Sequence, residues 1–220
     1  MTLALTPGPP RCGDAIRVSG VDLSRLEGRV SRHGRTWGRA YLAGTFENGT
    51  LTVTRQGPPK PAVGSGPSLR KPPCAAPLGG WASGPPSASG SRALDAYRAR
   101  FPADVVSVAI FHPSSGGSVT TIASTNPART RAILGPPFRR RLCVVRSHYR
   151  AAVVRRTKAS LTALLRRRRY EMTGVGLTVS EQGQPRVLVE ALVETSALRR
   201  VVASKPAGLV EVVPWLRPVR

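Results

Sequence analysis

The sequence has few acidic residues, few aromatic residues and no long apolar run. Asp and Glu number 11 among 220 residues, and aromatic residues make up 5%. No stretch approaches the roughly 20 consecutive apolar residues that a membrane-spanning helix needs. Residues 1–5 are too short for the apolar core of a secretory signal, because Pro7 follows almost at once. We therefore expect neither a membrane-spanning helix nor a signal peptide in this chain.

Motifs of the common nucleotide-binding and hydrolytic enzymes are also missing. The chain contains no Gly-x-Ser-x-Gly, no His-Glu-x-x-His and no phosphate-binding loop. Gly174 and Gly176 lack the third glycine of a dinucleotide fingerprint and lead into a predicted strand. The acidic residues are scattered, with no pair suited to glycoside hydrolysis. The sequence thus favours a non-catalytic protein without a cofactor.

Cysteine and histidine are too rare and too far apart for a metal site. The chain has Cys12, Cys74 and Cys143 and only three histidines. Two catalytic alternatives stay open: Cys143 as a nucleophile with His148 as its base, or a role for His112. A cysteine within the apolar run 142–145 is more often simply buried.

Positive charge is abundant and clustered. The formal net charge is +23, and 30 of the 34 basic residues are arginine. Residues 138–169, here called the basic block, hold 12 basic residues and no acidic one. Such a field attracts polyanions, either nucleic acid or an anionic membrane surface. The alternatives are a genomic bias toward arginine and a solvated helix face. The candidate binding residues are Arg139, Arg140, Arg141, Arg155, Arg156, Arg166, Arg167, Arg168 and Arg169, with Tyr149 and Tyr170 as candidates to stack on bases.

The first quarter of the chain has the pattern of a small β-rich module, residues 1–56. Strands are predicted over 26–32, 36–46 and 50–55, with turns at His33-Gly34 and Asn48-Gly49. Three short strands bury little apolar surface alone. We expect a small open barrel, or a module that packs on the rest of the chain.

Residues 57–91 form a connector rich in Pro, Gly and Ser, which predicts an irregular and exposed segment. Cys74 and Trp81 within it indicate that part of this segment is pinned to another element.

The remainder predicts an α+β fold in which the order helix-strand-strand-helix-strand occurs twice. The first unit spans 92–146 and the second 142–220. Helices are predicted over 92–101, 127–134, 150–165 and 196–203, with Asn126 and Thr195 or Ser196 as N-caps. Strands are predicted over 105–111, 118–123, 142–146, 174–179, 186–193 and 209–213. If the strand at 142–146 opens the second copy, the order becomes βαββαβ, so we predict two ferredoxin-like units.

Several blocks, in order along the chain, resemble a group of uncharacterised proteins of high-GC Gram-positive bacteria, many of them secreted or lipid-anchored. The matching residues are Pro9, Pro10, Arg11, Cys12, Gly13, Val21, Asp22, Leu26, Glu27, Gly28, Trp37, Gly38, Gly44, Thr45, Phe46, Cys74, Pro77, Gly79, Gly80, Trp81, Leu142, Cys143, Val144, Leu216, Arg217, Pro218 and Val219. This resemblance brings no known activity. It implies a place in the cell envelope or outside the cell, and a natural start upstream of Met1. Under it, we expect Cys12 to pair with Cys74.

The function expected from these observations is binding or structural, at the cell envelope. The alternative is an arginine-rich, nucleic-acid-associated protein inside the cell.

Overall fold

A computed structural model of the chain describes residues 16–59, 69, 71–83, 88–114 and 117–217. The chain divides into two compact units, Gly64–Arg217 and a smaller one made of Met1–Val63 with Pro218–Arg220. Each is described by itself. The predicted α+β class is confirmed. No helix in the described part of the chain is both long and apolar enough to cross a membrane.

The described residues of the N-terminal unit form five short strands. These are β1 (Arg17–Ser19), β2 (Glu27–Arg32), β3 (Arg35–Arg39), β4 (Tyr41–Glu47) and β5 (Thr50–Gly57), with a single 3-10 turn at Leu23–Arg25. Both predicted hairpin turns are confirmed: His33-Gly34 and Asn48-Gly49 have positive φ at both central residues. That backbone matches the twist of the flanking strands.

The predicted barrel is wrong for the described residues. The expected strand over 36–46 is interrupted at Ala40, so that β3 pairs with β2 while β4 pairs with β5. Strand β1 joins β5 in parallel, which gives a three-stranded sheet in the order β1-β5-β4 beside a separate two-stranded one. Because the outer strands β1 and β4 do not pair, this sheet stays open.

The C-terminal unit carries the predicted repeat. Its first copy is α1 (Ala88–Arg100), β6 (Val105–Phe111), β7 (Val119–Ser124), α2 (Pro127–Phe138) and β8 (Leu142–Arg146). Its second copy is α3 (Ala151–Thr162), β9 (Met172–Val179), β10 (Pro185–Ala191), α4 (Ser196–Ala203) and β11 (Val210–Pro214). Short 3-10 turns cover Arg139–Arg141 and Arg168–Tyr170. In each copy the first two strands are antiparallel and the third joins in parallel.

The ferredoxin-like layout is not confirmed. In a βαββαβ unit beginning with β8, that strand would share a sheet with β9, β10 and β11. Strand β8 instead pairs with β7, and the two sheets have the orders β6-β7-β8 and β11-β10-β9. The sheets meet where Ser107 Oγ on β6 donates a hydrogen bond of 2.8 Å to the Thr178 carbonyl on β9.

Local capping signals account for the helix starts. Asn126 Oδ1 accepts a hydrogen bond from the Arg129 amide, and Pro127 occupies the first turn of α2. Thr195 Oγ1 caps α4 in the same way, by accepting from the Leu198 amide at 3.0 Å. Helix α2 runs four residues beyond its predicted end at residue 134, because Phe138 packs into the core beneath it.

Two apolar layers cover the sheet β6-β7-β8. Helices α1 and α2 pack on one face, through Leu94, Tyr97, Ile122, Leu134 and Phe138. On the opposite face, Phe111, Val119, Ala123 and Cys143 are buried together with Val179 of β9, and Trp81 and Cys74 pack against them. An irregular segment, residues 71–83, therefore covers part of this face.

Candidate anion-binding surface

A disulfide joins Cys74 to Cys143, with a sequence separation of 69 and a distance of 5.7 Å between the Cα atoms. Residues 71–83 are here called the clamped segment. This bond confirms the prediction that Cys74 and Trp81 belong to a pinned stretch. It overturns the expected Cys12–Cys74 pair, because each sulfur forms one such bond; Cys12 itself lies outside the described residues. Sequence spacing does not determine the partner of Cys74, since disulfide pairing depends on which segments of the chain meet in the fold.

The disulfide also removes the candidate nucleophile. Cys143 is fully buried, as the apolar run predicted, but its sulfur is bonded to Cys74 and is no free thiol. His148 is exposed, one loop beyond β8. The alternative of Cys143 as nucleophile and His148 as base is therefore wrong. His112 is exposed near the β6–β7 turn, where its Nδ1 lies 3.3 Å from Ser118 Oγ. The described residues contain no group of three side chains able to hold a metal ion.

Residues 138–169 contain no Asp or Glu. The ion pairs found among the described residues join Arg39 to Glu27, Arg98 to Asp95, Arg129 to Asp104 and Arg199 to Glu194. None of these pairs includes Arg139, Arg140, Arg155, Arg156, Arg166, Arg167 or Arg169. The positive charge of these arginines therefore remains available to external anions.

The first three arginines of the basic block hold the clamped segment. Arg140 Nη1 donates to the Gly79 carbonyl at 2.9 Å, and the Arg140 carbonyl accepts from the Ala82 amide at 3.2 Å. Arg141 donates to the Ser83 carbonyl. Arg139 is exposed and has a positive φ of 54°. The guanidinium of Arg140 has five N–H donors, so its bond to the Gly79 carbonyl leaves most of them for another acceptor.

Helix α3 buries one face and presents arginines on the other. Ala151, Val154, Thr157 and Leu161 are buried at helical spacing. Arg155 and Arg156 are both exposed on the opposite side. Arg155 donates to the Pro102 carbonyl at 3.0 Å, whereas no hydrogen bond or ion pair of the Arg156 side chain is found among the described residues.

The last arginines follow α3 in the segment 166–169. Arg166 and Arg167 are exposed, and Arg169 Nη2 donates to the Tyr170 hydroxyl at 2.7 Å, with its guanidinium carbon 4.7 Å from the centre of the ring. The side chain of Arg168 lies outside the described residues. Tyr170 is 5% exposed, and Tyr149 is half-buried and donates to the Ala207 carbonyl. The predicted stacking of bases on these two rings is therefore not supported.

The basic block is accordingly three groups of arginines rather than one row. Arg139, Arg140 and Arg141 lie beside the clamped segment, Arg155 and Arg156 lie on α3, and Arg166, Arg167 and Arg169 lie between α3 and β9. The first group is the one whose surroundings are most fixed, because it is hydrogen-bonded to a segment that the disulfide also holds.

One buried polar cluster was not predicted from the sequence. Asp104 accepts two hydrogen bonds from Arg129, from Nε at 2.8 Å and from Nη2 at 2.9 Å, and a third from the Tyr97 hydroxyl at 2.6 Å. Thr130 Oγ1 lies 3.0 Å from that hydroxyl and 2.8 Å from Ser124 Oγ. Burial pushes the pKa of Asp104 up, but the bonds from Arg129 and Tyr97 outweigh it and hold the pKa below its usual value.

This cluster is structural. Its donors and acceptors satisfy one another, and it ties α1, α2 and the start of β6 together. No short sequence motif marks it, because Tyr97, Asp104 and Arg129 come from three separate elements.

No protein-family model matches the chain, and no curated protein matches it significantly.

Proposed function

We propose that this chain is a non-catalytic binding protein of the cell envelope. The observation that carries the proposal is the Cys74–Cys143 disulfide. Disulfides form and persist in oxidising compartments, and they are rare where glutathione and thioredoxin keep thiols reduced. The bond is also integral to the fold, since it holds the clamped segment over the face of the sheet β6-β7-β8 opposite to α1 and α2. A protein that depends on such a bond belongs outside the cytoplasm.

The binding part of the proposal rests on charge. The basic block contains no Asp or Glu, and most of its described arginines are exposed. Arginine binds phosphate and carboxylate through paired, charge-assisted hydrogen bonds. The envelope surface is rich in such groups, as phospholipid headgroups and acidic polymers.

Trapping of thiols in living cells tests the compartment. Cells of the organism that encodes the chain are quenched in acid, their free thiols are alkylated, and the mass of the tryptic peptides is measured before and after reduction. We expect Cys74 and Cys143 to be protected as one linked peptide pair. Free, alkylated Cys74 and Cys143 in unstressed cells would contradict an envelope location. The matched control is Cys143→Ala, in which Cys74 becomes available to alkylation.

A second function, nucleic-acid binding, is favoured by the run of arginines at 166–169. Phosphate contacts give an affinity that falls steeply with salt. The test measures binding to short duplex and single-stranded nucleic acid across a salt series, with Arg166, Arg167, Arg168 and Arg169 changed to serine. Micromolar binding at physiological salt, with a smaller salt slope in the variant, would favour this function. Binding seen only at low salt would count against nucleic-acid binding and favour the envelope function.

A further inference from the structure

A fully exposed leucine stands at the tip of the clamped segment. The side chain of Leu78 has 100% relative exposure, the highest value among the exposed large apolar residues of the described part. Its turn is closed by a hydrogen bond of 2.8 Å from the Gly80 amide to the Pro77 carbonyl, with positive φ at Gly79 and Gly80. Because the side chain adds nothing to the core, the fold would accept a polar residue here equally well.

The tip is held on both sides. The disulfide fixes Cys74 before it, and the hydrogen bond from the Ala82 amide to the Arg140 carbonyl fixes it behind. Trp81 packs against the apolar cluster under the segment. A leucine presented on such a constrained turn has little conformational freedom left to lose when it binds a partner.

A guanidinium contacts the same tip. The guanidinium of Arg140 is bonded to the carbonyl of Gly79, the residue next to Leu78. Arg139, adjacent in sequence, is exposed, and so is Lys71 at the start of the clamped segment. An apolar tip beside guanidinium groups has the chemistry of a peripheral membrane contact: the apolar side chain enters the acyl boundary while the cations meet lipid phosphates.

We propose that residues 77–80 are an anchoring tip for an anionic bilayer, in which Leu78 inserts into the acyl boundary and Arg139 and Arg140 contact lipid phosphates. The inference rests on the proposed envelope function and names the surface that the protein would bind. A nucleic acid would use the arginines but gain nothing from an aliphatic side chain, which cannot stack on a base. The effect of replacing Leu78 therefore distinguishes binding to an anionic bilayer from binding to nucleic acid.

Flotation of the oxidised chain with lipid vesicles tests the proposal. Vesicles of phosphatidylcholine are compared with vesicles that contain about 30% phosphatidylglycerol, across a salt series. We expect binding to the anionic vesicles only, at physiological salt. Leu78→Ser should weaken it about tenfold or more, because the loss of one buried leucine side chain is worth that much. Arg139→Gln should weaken it and reduce the salt slope.

Two matched variants serve as controls. Leu23→Ser makes the same chemical change at another exposed leucine, in the N-terminal unit, and Arg35→Gln removes an exposed arginine there. Both should bind as the wild type does. Leu78→Ser should keep the unfolding midpoint of the wild type, since its side chain is fully exposed. Equal vesicle binding by wild type and Leu78→Ser would overturn the proposal. It would also be overturned if the chain bound duplex nucleic acid more tightly than vesicles and Leu78→Ser changed neither affinity.

A spectroscopic measurement reports insertion directly. Lipids brominated near the headgroup end of the acyl chain quench the fluorescence of a nearby tryptophan. We expect quenching in the wild type that is lost in Trp81→Phe and kept in Trp215→Phe, because Trp81 directly follows the tip and is three residues from Leu78 in sequence. Quenching that survives in Trp81→Phe would place another part of the chain at the bilayer. If the chain is oxidised in the envelope but binds no vesicle, this inference fails while the proposed function stands.

Discussion

Cys74 and Cys143 are bonded on the face of the sheet β6-β7-β8 opposite to α1 and α2. Cys143 lies in β8 and is fully buried, while Cys74 belongs to an irregular segment that has no regular hydrogen-bonded partner strand. The apolar face formed by Phe111, Val119 and Ala123 is thereby covered by a segment whose own conformation the disulfide secures. Two arginines of the basic block reinforce the same attachment from the opposite end of the segment.

Loss of this disulfide should destabilise the C-terminal unit. For a closed loop of this length we expect the free energy of unfolding to fall by about 2–4 kcal/mol in Cys74→Ala/Cys143→Ala, because the unfolded chain gains freedom. Denaturant unfolding with and without reductant measures the effect, and the double variant should no longer respond to reductant. Cys12→Ser is the matched control and should unfold like the wild type. A loss in Cys12→Ser as large as that in the double variant would restore the Cys12–Cys74 pairing.

Replacement of Asp104 by Asn should weaken the cluster that joins α1, α2 and β6. The substitution removes the charge that receives two hydrogen bonds from Arg129 and one from Tyr97, so we expect a loss of about 1–3 kcal/mol in the free energy of unfolding. Asp95→Asn is the control, because Asp95 forms only a 3.9 Å surface pair with Arg98 and should change stability by less than about 1 kcal/mol. Equal effects of the two substitutions would contradict a structural role for the buried cluster.

The contribution of the Asp104 carboxylate to stability should depend on pH. Since the pKa of Asp104 in the fold lies below its ordinary value of 3.8, its contribution to stability is complete above that pH and is lost as the pH falls through the lower folded pKa. The difference in unfolding free energy between wild type and Asp104→Asn should therefore be constant at neutral pH and shrink in strong acid. A difference that grows on acidification would mean that burial dominates and that the folded pKa is raised.

Gly44 should tolerate no side chain. A Cβ at this position would lie 1.9 Å from the Thr52 carbonyl oxygen, a backbone atom of the neighbouring strand, so β4 and β5 would have to separate. We expect Gly44→Ala to cost about 1–3 kcal/mol. Gly57→Ala, in the same strand pair, meets nothing within 4 Å and should change stability by less than about 0.5 kcal/mol. Circular dichroism during thermal unfolding compares the two variants.

Features with a local cause could be predicted from the sequence. Asn48-Gly49 has the two residues that a tight hairpin requires, and Asn126 and Thr195 offer the side-chain oxygens that a helix start needs. The order of helices and strands in both repeats follows from apolar spacing and these signals. The interruption at Ala40 was missed, because residues on both sides of it suit a strand equally and only the choice of partner separates β3 from β4.

Features that depend on contacts between distant segments could not be predicted. Cys74 had two possible partners, and its spacing to each carries no information about which one it meets. Strand β8 could have opened the second repeat, but its parallel pairing with β7 depends on the packing of α2. The hydrogen bonds of Arg140 and Arg141 to the clamped segment are likewise tertiary, so the sequence did not indicate them.

Fractionation of cells that make the protein tests the central claim most directly. An antibody raised against the chain follows the natural product through cytosolic, nucleoid, membrane and wall fractions, with a wash in high salt applied to each. We expect the protein in the membrane or wall fraction. High salt should release at least part of it, because the arginines contribute to its attachment. Recovery in the cytosol, or with the nucleoid until salt releases it, would contradict the envelope function and favour nucleic acid as the partner of the basic block.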